Sequence, residues 1–309
     1  MAKILVTGGA GFIGSHIVDR FVAGGSRVLV VDNLTSGSAK NLPAQAELLE
    51  MDIRSSEFAV LLEREKPEIV VHTAAQMSVR ESMYNPRFDT DVNIAGLVNM
   101  LCEFRGDWKP FVVFLSTGGA IYGEQSVFPA AEDHAILPSS VYGLAKFVSE
   151  RYLDLWSRQF GLEHCVLRLG NIYGPRQNPH GEAGVVAIFS RKMLSGEKCR
   201  INGSGEQTRD YLFVGDVADG VKTVVERRTL GTFNLGTGIE TSVNELYSQM
   251  CAALGKKSEA EYGPALVGEQ MRSCIDAGLA LRTFGWKPRV ALQDGLRQTV
   301  QWFAANRDR

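Results

Sequence analysis

At 309 residues with 45% hydrophobic content, the chain carries enough apolar side chain to bury a substantial core, as one large α/β domain or two ordinary ones. Its net charge of -2, without a local basic cluster, excludes the positive excess that binding a nucleic-acid backbone needs. The five cysteines stand far apart in no metal-binding spacing, which excludes structural zinc and reads as a protein of the reducing cytoplasm. No stretch reaches the ~18 apolar residues of a membrane span, and the apolar run 4–6 is too short for a secretion signal, so neither is expected.

In chain order, the apolar runs "KILVT", "RVLVVD", "EIVVHTAA", "FVVFLST" and "HCVLRLG" are continuous rather than alternating, as strands buried on both faces of a parallel sheet should be. Between them, residues 12–23, 91–105 and 142–159 place apolar side chains at spacings of three and four and predict helices. This rhythm predicts a Rossmann-like, doubly wound parallel α/β sheet over residues 1–170. From Asn171 onward, Gly- and Pro-containing loops separate helices predicted at 185–194 and 216–227. Residues 171–309 are expected to form mainly a smaller substrate-binding lobe, with some segments returning to the first domain.

The first chemical motif is "VTGGAGFIGSH", residues 6–16. Gly9, Gly11 and Gly14 give one glycine template and Gly8, Gly11 and Gly14 another, and both rest on the same physics. A strand ends, glycines let the backbone turn tightly beside a pyrophosphate, and the helix that starts at Phe12 and Ile13 offers its N-terminal amides to that anion. A plain strand-to-helix turn would look similar. Asp32, ending the next strand, can accept both adenosine ribose hydroxyls and would repel a 2′-phosphate, favouring NAD over NADP; capping a turn is its other reading. "MDI" is expected to end a third strand, with Asp52 accepting from the adenine amino group and Ile53 covering the ring, or with Asp52 as a helix N-cap. "HTAAQ" brings Thr73, Ala74, Ala75 and Gln76 to the end of a fourth strand, small enough for backbone to approach the dinucleotide.

"SSVYGLAKF" sets Tyr142 and Lys146 four residues apart on one face of a predicted helix. A phenol with a reference pKa of about 10 is a poor base at neutral pH, and a neighbouring ammonium and a cationic nicotinamide would both favour the phenolate. An exposed helix pair is the alternative reading.

These stretches, with "VVDNLTSG", "HTAAQMSVRES", "DVNIAGLVNML", "STGGAIYG", "LRLGNIYGPRQNPHGEAGVVAIF", "GEQTRDYLFVGDVADG", "FNLGTG" and "LRTFGWKP", resemble the extended short-chain dehydrogenase/reductases. Within them the chain is most similar to the NAD-dependent nucleotide-sugar epimerases of the UDP-glucose 4-epimerase group. The resemblance covers nearly the whole chain. It implies an isomerase holding NAD through turnover, a lobe gripping a UDP-sugar, and a homodimer formed through helices near 91–105 and 142–159. It makes Tyr142 the acid-base group and Lys146 its partner, and adds Asn33, Ser36, Gly37, Asn93 and Ser116 to the cofactor set. Asn171 and Arg209 are implied at the sugar diphosphate, a role suited to a bidentate guanidinium. An arginine is expected at Leu266 by this resemblance, so either Arg209 or Arg272 carries its load or affinity for UDP is reduced.

Register then places the family's usual catalytic hydroxyl on Gly118, which has no side chain. Thr117 is the expected donor to the sugar O4, Ser116 the second choice and a water the third. Members that dehydrate or decarboxylate carry an acid directly before the "[VIM]YG" stretch; here Ala120 stands there, after Gly119, so elimination lacks its acid. The gating position beside the hexose C2 substituent aligns with Ser273, small enough for N-acetylhexosamines as well as plain hexoses. A UDP-glucuronate 4-epimerase, or another nucleotide-sugar-modifying member of the family, is the alternative activity; the sequence assigns no cation to a uronate carboxylate, Arg176 being the one candidate.

Overall fold

The computed structural model describes residues 2–180, 184–255, 259–266, 268 and 270–307. Its centre is a seven-stranded parallel sheet. The strands are β1 (Lys3–Thr7), β2 (Arg27–Asp32), β3 (Glu47–Glu50), β4 (Ile69–His72), β5 (Phe111–Thr117), β6 (His164–Leu169) and a seventh, Gly231–Leu235. Their spatial order is seventh, β6, β5, β4, β1, β2, β3. The order therefore reverses between β1 and β4, the point in a doubly wound sheet where the carboxyl ends open a crevice for ligand.

The strands lack alternation because both sheet faces are covered. One face packs α1 (Phe12–Ala23) and the helix Val214–Arg227 over Val6, Val30 and Val113. The other packs α2 (Ser56–Glu65) and the helices after β4 over Leu5, Val70 and Phe114. Between β4 and β5 run α3 (Val79–Tyr84), α4 (Pro86–Thr90) and, after one wide π turn at Asp91–Ala95, α5 (Gly96–Cys102). The helix expected over 91–105 is thus three pieces, its last turn Glu103–Arg105 being a 3₁₀ turn. The third strand stops at Glu50, short of Asp52.

After β5 come the single-turn α6 (Gly118–Ile121) and the long α7 (Val141–Phe160). The later residues form a second core around Tyr173, Phe189, Leu246, Met250 and Leu296. They also return material to the sheet, since Gly231–Leu235 pairs in parallel with β6. Two short pairings point back toward the crevice: Asn171–Tyr173 with Tyr211–Phe213, and Thr208–Arg209 with Arg272–Ser273. No described helix is long and apolar enough to cross a membrane.

One buried ionic network ties the sheet to α7. Glu150, on α7, accepts from Ser116 Oγ of β5 at 2.6 Å and from Arg168 of β6 at 3.1 Å (Nε) and 2.7 Å (Nη2). Arg168 Nη1 goes on to Tyr122 Oη at 3.0 Å, and Tyr122 donates to Asn234 Oδ1 at 2.8 Å. Burial alone would push the Arg168 guanidinium down, but the Glu150 hydrogen bonds and charge outweigh it and raise it. With both partners out of water, losing one leaves an uncompensated interior charge. Glu150→Gln is expected to lower unfolding stability by roughly 3 kcal/mol in urea titrations; a loss under about 1 kcal/mol would show that Arg168 finds other partners.

Candidate active site

The crevice is floored by the turn after β1. Gly8 sits at φ +68°, and a Cβ there would meet Ala74 N at 2.7 Å and Thr73 Oγ1 at 2.8 Å. A Cβ on Gly14 would run into the Gly8 carbonyl. These glycines are required because three backbone segments touch. α1 starts at Phe12 with no capping side chain and no acid in its first turn, so its leading amides are left for an anion. Thr73 Oγ1 donates to Thr7 O at 2.6 Å, fixing residues 73–76 against the turn.

On the adenosine side, Asp32 Oδ2 accepts from Ala10 N at 2.9 Å and Oδ1 from Leu34 N at 2.9 Å. The carboxylate orients the glycine turn, with lone pairs to spare on each oxygen. Ser38 N bonds Ala10 O at 3.0 Å, and a Cβ on Gly37 would come within 2.9 Å of Asp32 Oδ1; the loop carrying Asn33, Ser36 and Gly37 lies against the same turn. Asp52 differs from expectation. Ser55, not Asp52, caps α2, while Asp52 is held by Arg54 Nε at 2.9 Å and Asn33 Nδ2 at 3.1 Å. The Arg54 hydrogen bond brings its carboxyl down to about 2. Ile53 is buried against Gly96, whose Cβ would meet it at 2.6 Å, so its side chain belongs to the core rather than to a ring face.

Asn93, expected at the cofactor, spends its side chain on the protein. Its Oδ1 accepts from Gln76 N at 3.1 Å, and its Nδ2 donates to Gln76 O at 2.9 Å and Asp89 Oδ1 at 3.0 Å. Ser116 is likewise committed, its proton given to Glu150, which removes it as a donor to substrate.

The chemistry-bearing groups gather where β5 ends. Ser140 caps α7, accepting from Gly143 N at 3.1 Å, and a Cβ on Gly143 would be 2.5 Å from Ala120 O. The first turn of α7, with Tyr142, is therefore pressed onto the Thr117–Ala120 turn. Thr117 ends its strand as the cap of α6, Oγ1 accepting from Ala120 N at 3.1 Å. Its own proton remains available. A Cβ on Gly119 would have as neighbours Asn171 Oδ1 at 3.5 Å, Ser273 Oγ at 3.7 Å and Thr117 Oγ1 at 3.9 Å, so these three polar groups surround one small space with no carboxylate oxygen among them. A Cβ on Gly118 would instead strike Ile275 at 2.8 Å: a hydroxyl at that position would meet core, not cleft. Ser273 pairs in register with Arg209, which places the guanidinium's strand beside the same space.

Arg272 is drawn off by Glu240, Nε to Oε1 at 2.9 Å, and lies 3.7 Å over the Phe128 ring. Arg176 pairs through Nη2 with Asp19 of α1 at 2.7 Å, while its Nη1 is buried without a hydrogen-bond partner. Leu266 is exposed and supplies no charge.

The electrostatics of the pair are set first by burial. Burial pushes Tyr142 above the ordinary value and the Asp89 carboxylate adds to it. Burial brings Lys146 down to about 8, against the pull of Asp89 and Glu150. Lys146 Nζ bonds Leu115 O at 3.0 Å and rides 4.7 Å over Phe114; Tyr142 Oη has no hydrogen-bond partner among the described residues, and its side chain keeps part of its surface on the cleft. Sequence reasoning missed Thr7, His72, Asp89 and Glu150. Only Asp89 left a signal, one helical turn before Asn93.

Residues 4–236 match the family model described as NAD dependent epimerase/dehydratase family. The chain belongs to that family. As a member of the NAD dependent epimerase/dehydratase family it is 41% identical to the UDP-glucose 4-epimerase of Mycolicibacterium smegmatis, over 97% of this chain and 98% of that protein. Among solved structures it resembles a Thermotoga maritima UDP-glucose 4-epimerase with UDP-glucose, TM-score 0.94 at 44% identity, covering 97% of this chain and 98% of the other. It also resembles the Thermus thermophilus UDP-glucose 4-epimerase in complex with NAD, TM-score 0.93 at 39% identity, covering 98% and 99%. The family's cofactor fits the residues present: an uncapped helix start, glycines that no side chain can replace, and a carboxylate that disfavours a 2′-phosphate.

The buried lysine gives a pH prediction. Its folded value of about 8 lies below the ordinary lysine value of 10.5, so between these pH values the unfolded chain holds the extra proton and stability rises with pH. Lys146→Met should be more stable than the parent at pH 7 by on the order of 2–3 kcal/mol, with the gap closing toward pH 10 in paired denaturation curves. A pH-independent gap would contradict the depressed lysine.

Proposed function

We propose that the protein is a UDP-hexose 4-epimerase interconverting UDP-glucose and UDP-galactose, and that the small Ser273 and the open space at Gly119 admit N-acetylhexosamines too. The observation that carries this reading is the first turn of α7, which bears Tyr142, pressed onto the Thr117–Ala120 turn, whose Gly119 and Ala120 carry no acid. The near full-length similarity to UDP-glucose 4-epimerases supports it. Residues 1–170 and the returning seventh strand are read as the NAD-binding body, and the rest of 171–309 as the main sugar-nucleotide grip.

The cofactor would rest on Gly8, Gly11 and Gly14, with Phe12 and Ile13 opening the helix above the pyrophosphate. Asp32 is assigned the adenosine ribose, the loop of Asn33, Ser36 and Gly37 the adenosine edge with Asp52, the backbone of Thr73 to Gln76 the far side, and Lys146 the nicotinamide ribose. Arg209 and Asn171 would hold the diphosphate. Bound oxidised NAD supplies a hydride acceptor for C4, its return in the second half of the reaction, and a positive ring that opposes the upward push on Tyr142. Tyr142 Oη takes the proton of the 4-hydroxyl, and Thr117, whose oxygen already accepts from Ala120, gives its own proton as a hydrogen bond to O4. With no carboxylate at Gly119 or Ala120, nothing removes a proton for elimination, and the 4-keto sugar persists. Once the hexose turns over about its diphosphate, Tyr142 returns its proton to O4 and C4 is inverted.

We further read the protein as cytoplasmic, since its five cysteines are all unpaired, and as a homodimer through the faces where α3 and α7 expose Val79, Met83, Leu144 and Leu155.

Proton NMR of purified protein with UDP-galactose, without added cofactor, should show UDP-glucose forming. Tyr142→Phe should slow it roughly 100-fold or more, and Thr117→Val by a smaller but clear factor of roughly 10, while Ser116→Ala chiefly affects stability. A dehydrated 4-keto-6-deoxy product, or no epimer at all, would overturn the assignment.

A further inference from the structure

Asp89 is the buried residue of α4, the short helix that packs on α7. Its Oδ1 accepts two amide hydrogen bonds, from Gln76 Nε2 at 2.8 Å and Asn93 Nδ2 at 3.0 Å. Its Oδ2 is equally out of water and has no partner. Burial raises its carboxyl, and Lys146, which gives its hydrogen bond to Leu115 O rather than to Asp89, opposes that rise only through its charge. A carboxylate left half-satisfied in the interior is costly unless it does something. The backbone is also shaped for it: the π turn at Asp91–Ala95 turns Asn93 so that one amide clasps both Gln76 and Asp89, and such turns concentrate at functional sites. Ser149 of α7 bonds Asn93 O at 3.0 Å, locking this assembly to the helix that carries Tyr142 and Lys146.

We propose that Asp89 is a positioning residue of the acid-base unit: a fixed interior negative charge, held by Gln76 and Asn93, that sets the proton affinity of Tyr142 and keeps Lys146 charged. The inference builds on the epimerase reading for its kinetic consequence only. Of the charged groups on the short helices packed about it, Arg80 and Glu81 of α3 and Arg87 of α4 lie exposed to solvent. From α7 come Tyr142, Lys146 and Glu150, the last neutralised by Arg168. From β4 comes His72, held neutral by burial and by Lys146, its pKa brought down to about 3, with Nδ1 2.8 Å from Thr7 Oγ1. At the start of the π turn, Asp91 faces Arg54 at 3.6 Å. On the Tyr142 oxygen, burial and the Asp89 charge act in the same direction, and Asp89 is the charged group that adds to the rise. Because Gln76 also belongs to the segment lying against Gly8, the carboxylate is anchored to the same backbone that borders the dinucleotide turn.

The test is the pH profile of epimerisation by the NAD-loaded enzyme. Asp89→Asn keeps the shape and the acceptor oxygen but removes the charge. The acidic limb of kcat/KM should move to lower pH by on the order of one unit, while Asp89→Glu keeps the parent limb. A uniform loss at every pH with the limb unmoved would overturn the proposal and make Asp89 a packing residue. A second measurement needs neither that variant nor turnover. Carbon NMR of aspartate-labelled protein should show the Asp89 carboxyl titrating at higher pH in Lys146→Met than in the parent, since removing the cation removes what favours its ionised form. An unmoved titration would refute the coupling even if the protein epimerises, and a moved one would stand even if it does not.

Discussion

The position of every reacting group in this molecule depends on one buried carboxylate, Glu150. It receives a proton-donating hydroxyl from β5 and a two-pronged guanidinium from β6, so the strand that ends in Thr117 and the helix that carries Tyr142 and Lys146 are fixed to each other by hydrogen bonds of defined direction. Apolar packing alone fixes layers to within a rotamer; a satisfied buried ion pair fixes them to within a hydrogen-bond length. Gly143 completes the constraint from the other side, because only an absent side chain lets α7 close onto Ala120 O.

From that anchor the two halves of the cleft divide the work. The β1–β4 crevice is made of backbone: glycines that touch neighbouring strands, an uncapped helix start and Asp32 bracing the turn from behind. The facing wall is made of side chains, with Thr117, Asn171 and Ser273 arranged about the space at Gly119. Next to the glycine that leaves this space open, Ala120 stands where an acid would divert a 4-keto intermediate. Positioning and the exclusion of a side reaction thus come from one backbone stretch.

Much of this was readable in the sequence, because the signals were local. Continuous apolar runs gave β1, β2 and β5 with their limits, and the glycine turn announced α1 to the residue. What escaped was non-local. The strand Gly231–Leu235 is short and featureless until β6 offers it an edge. Asp52 looked like a helix cap because nothing in the sequence shows Arg54 folding back on it. Ser116 and Thr117 are adjacent hydroxyls on one strand, and only the presence of Glu150 on a distant helix decides which keeps a free proton. Asn93 was found by resemblance, but its task is to clasp Gln76 and Asp89. Burial raises the Tyr142 phenol and lowers Lys146, and Asp89, a carboxylate that the sequence pattern did not flag, adds to the first shift and opposes the second.

The central claim is that the Tyr142 and Thr117 hydroxyls flank the reacting carbon while Ser116 stays bound to Glu150. A crystal structure of the NAD-loaded protein with a UDP-hexose tests it most directly. The account predicts Tyr142 Oη and Thr117 Oγ1 both within about 3 Å of the sugar O4, with the Ser116–Glu150 hydrogen bond intact. Ser116 released from Glu150 and turned onto O4, with Thr117 still serving only as a helix cap, would contradict it.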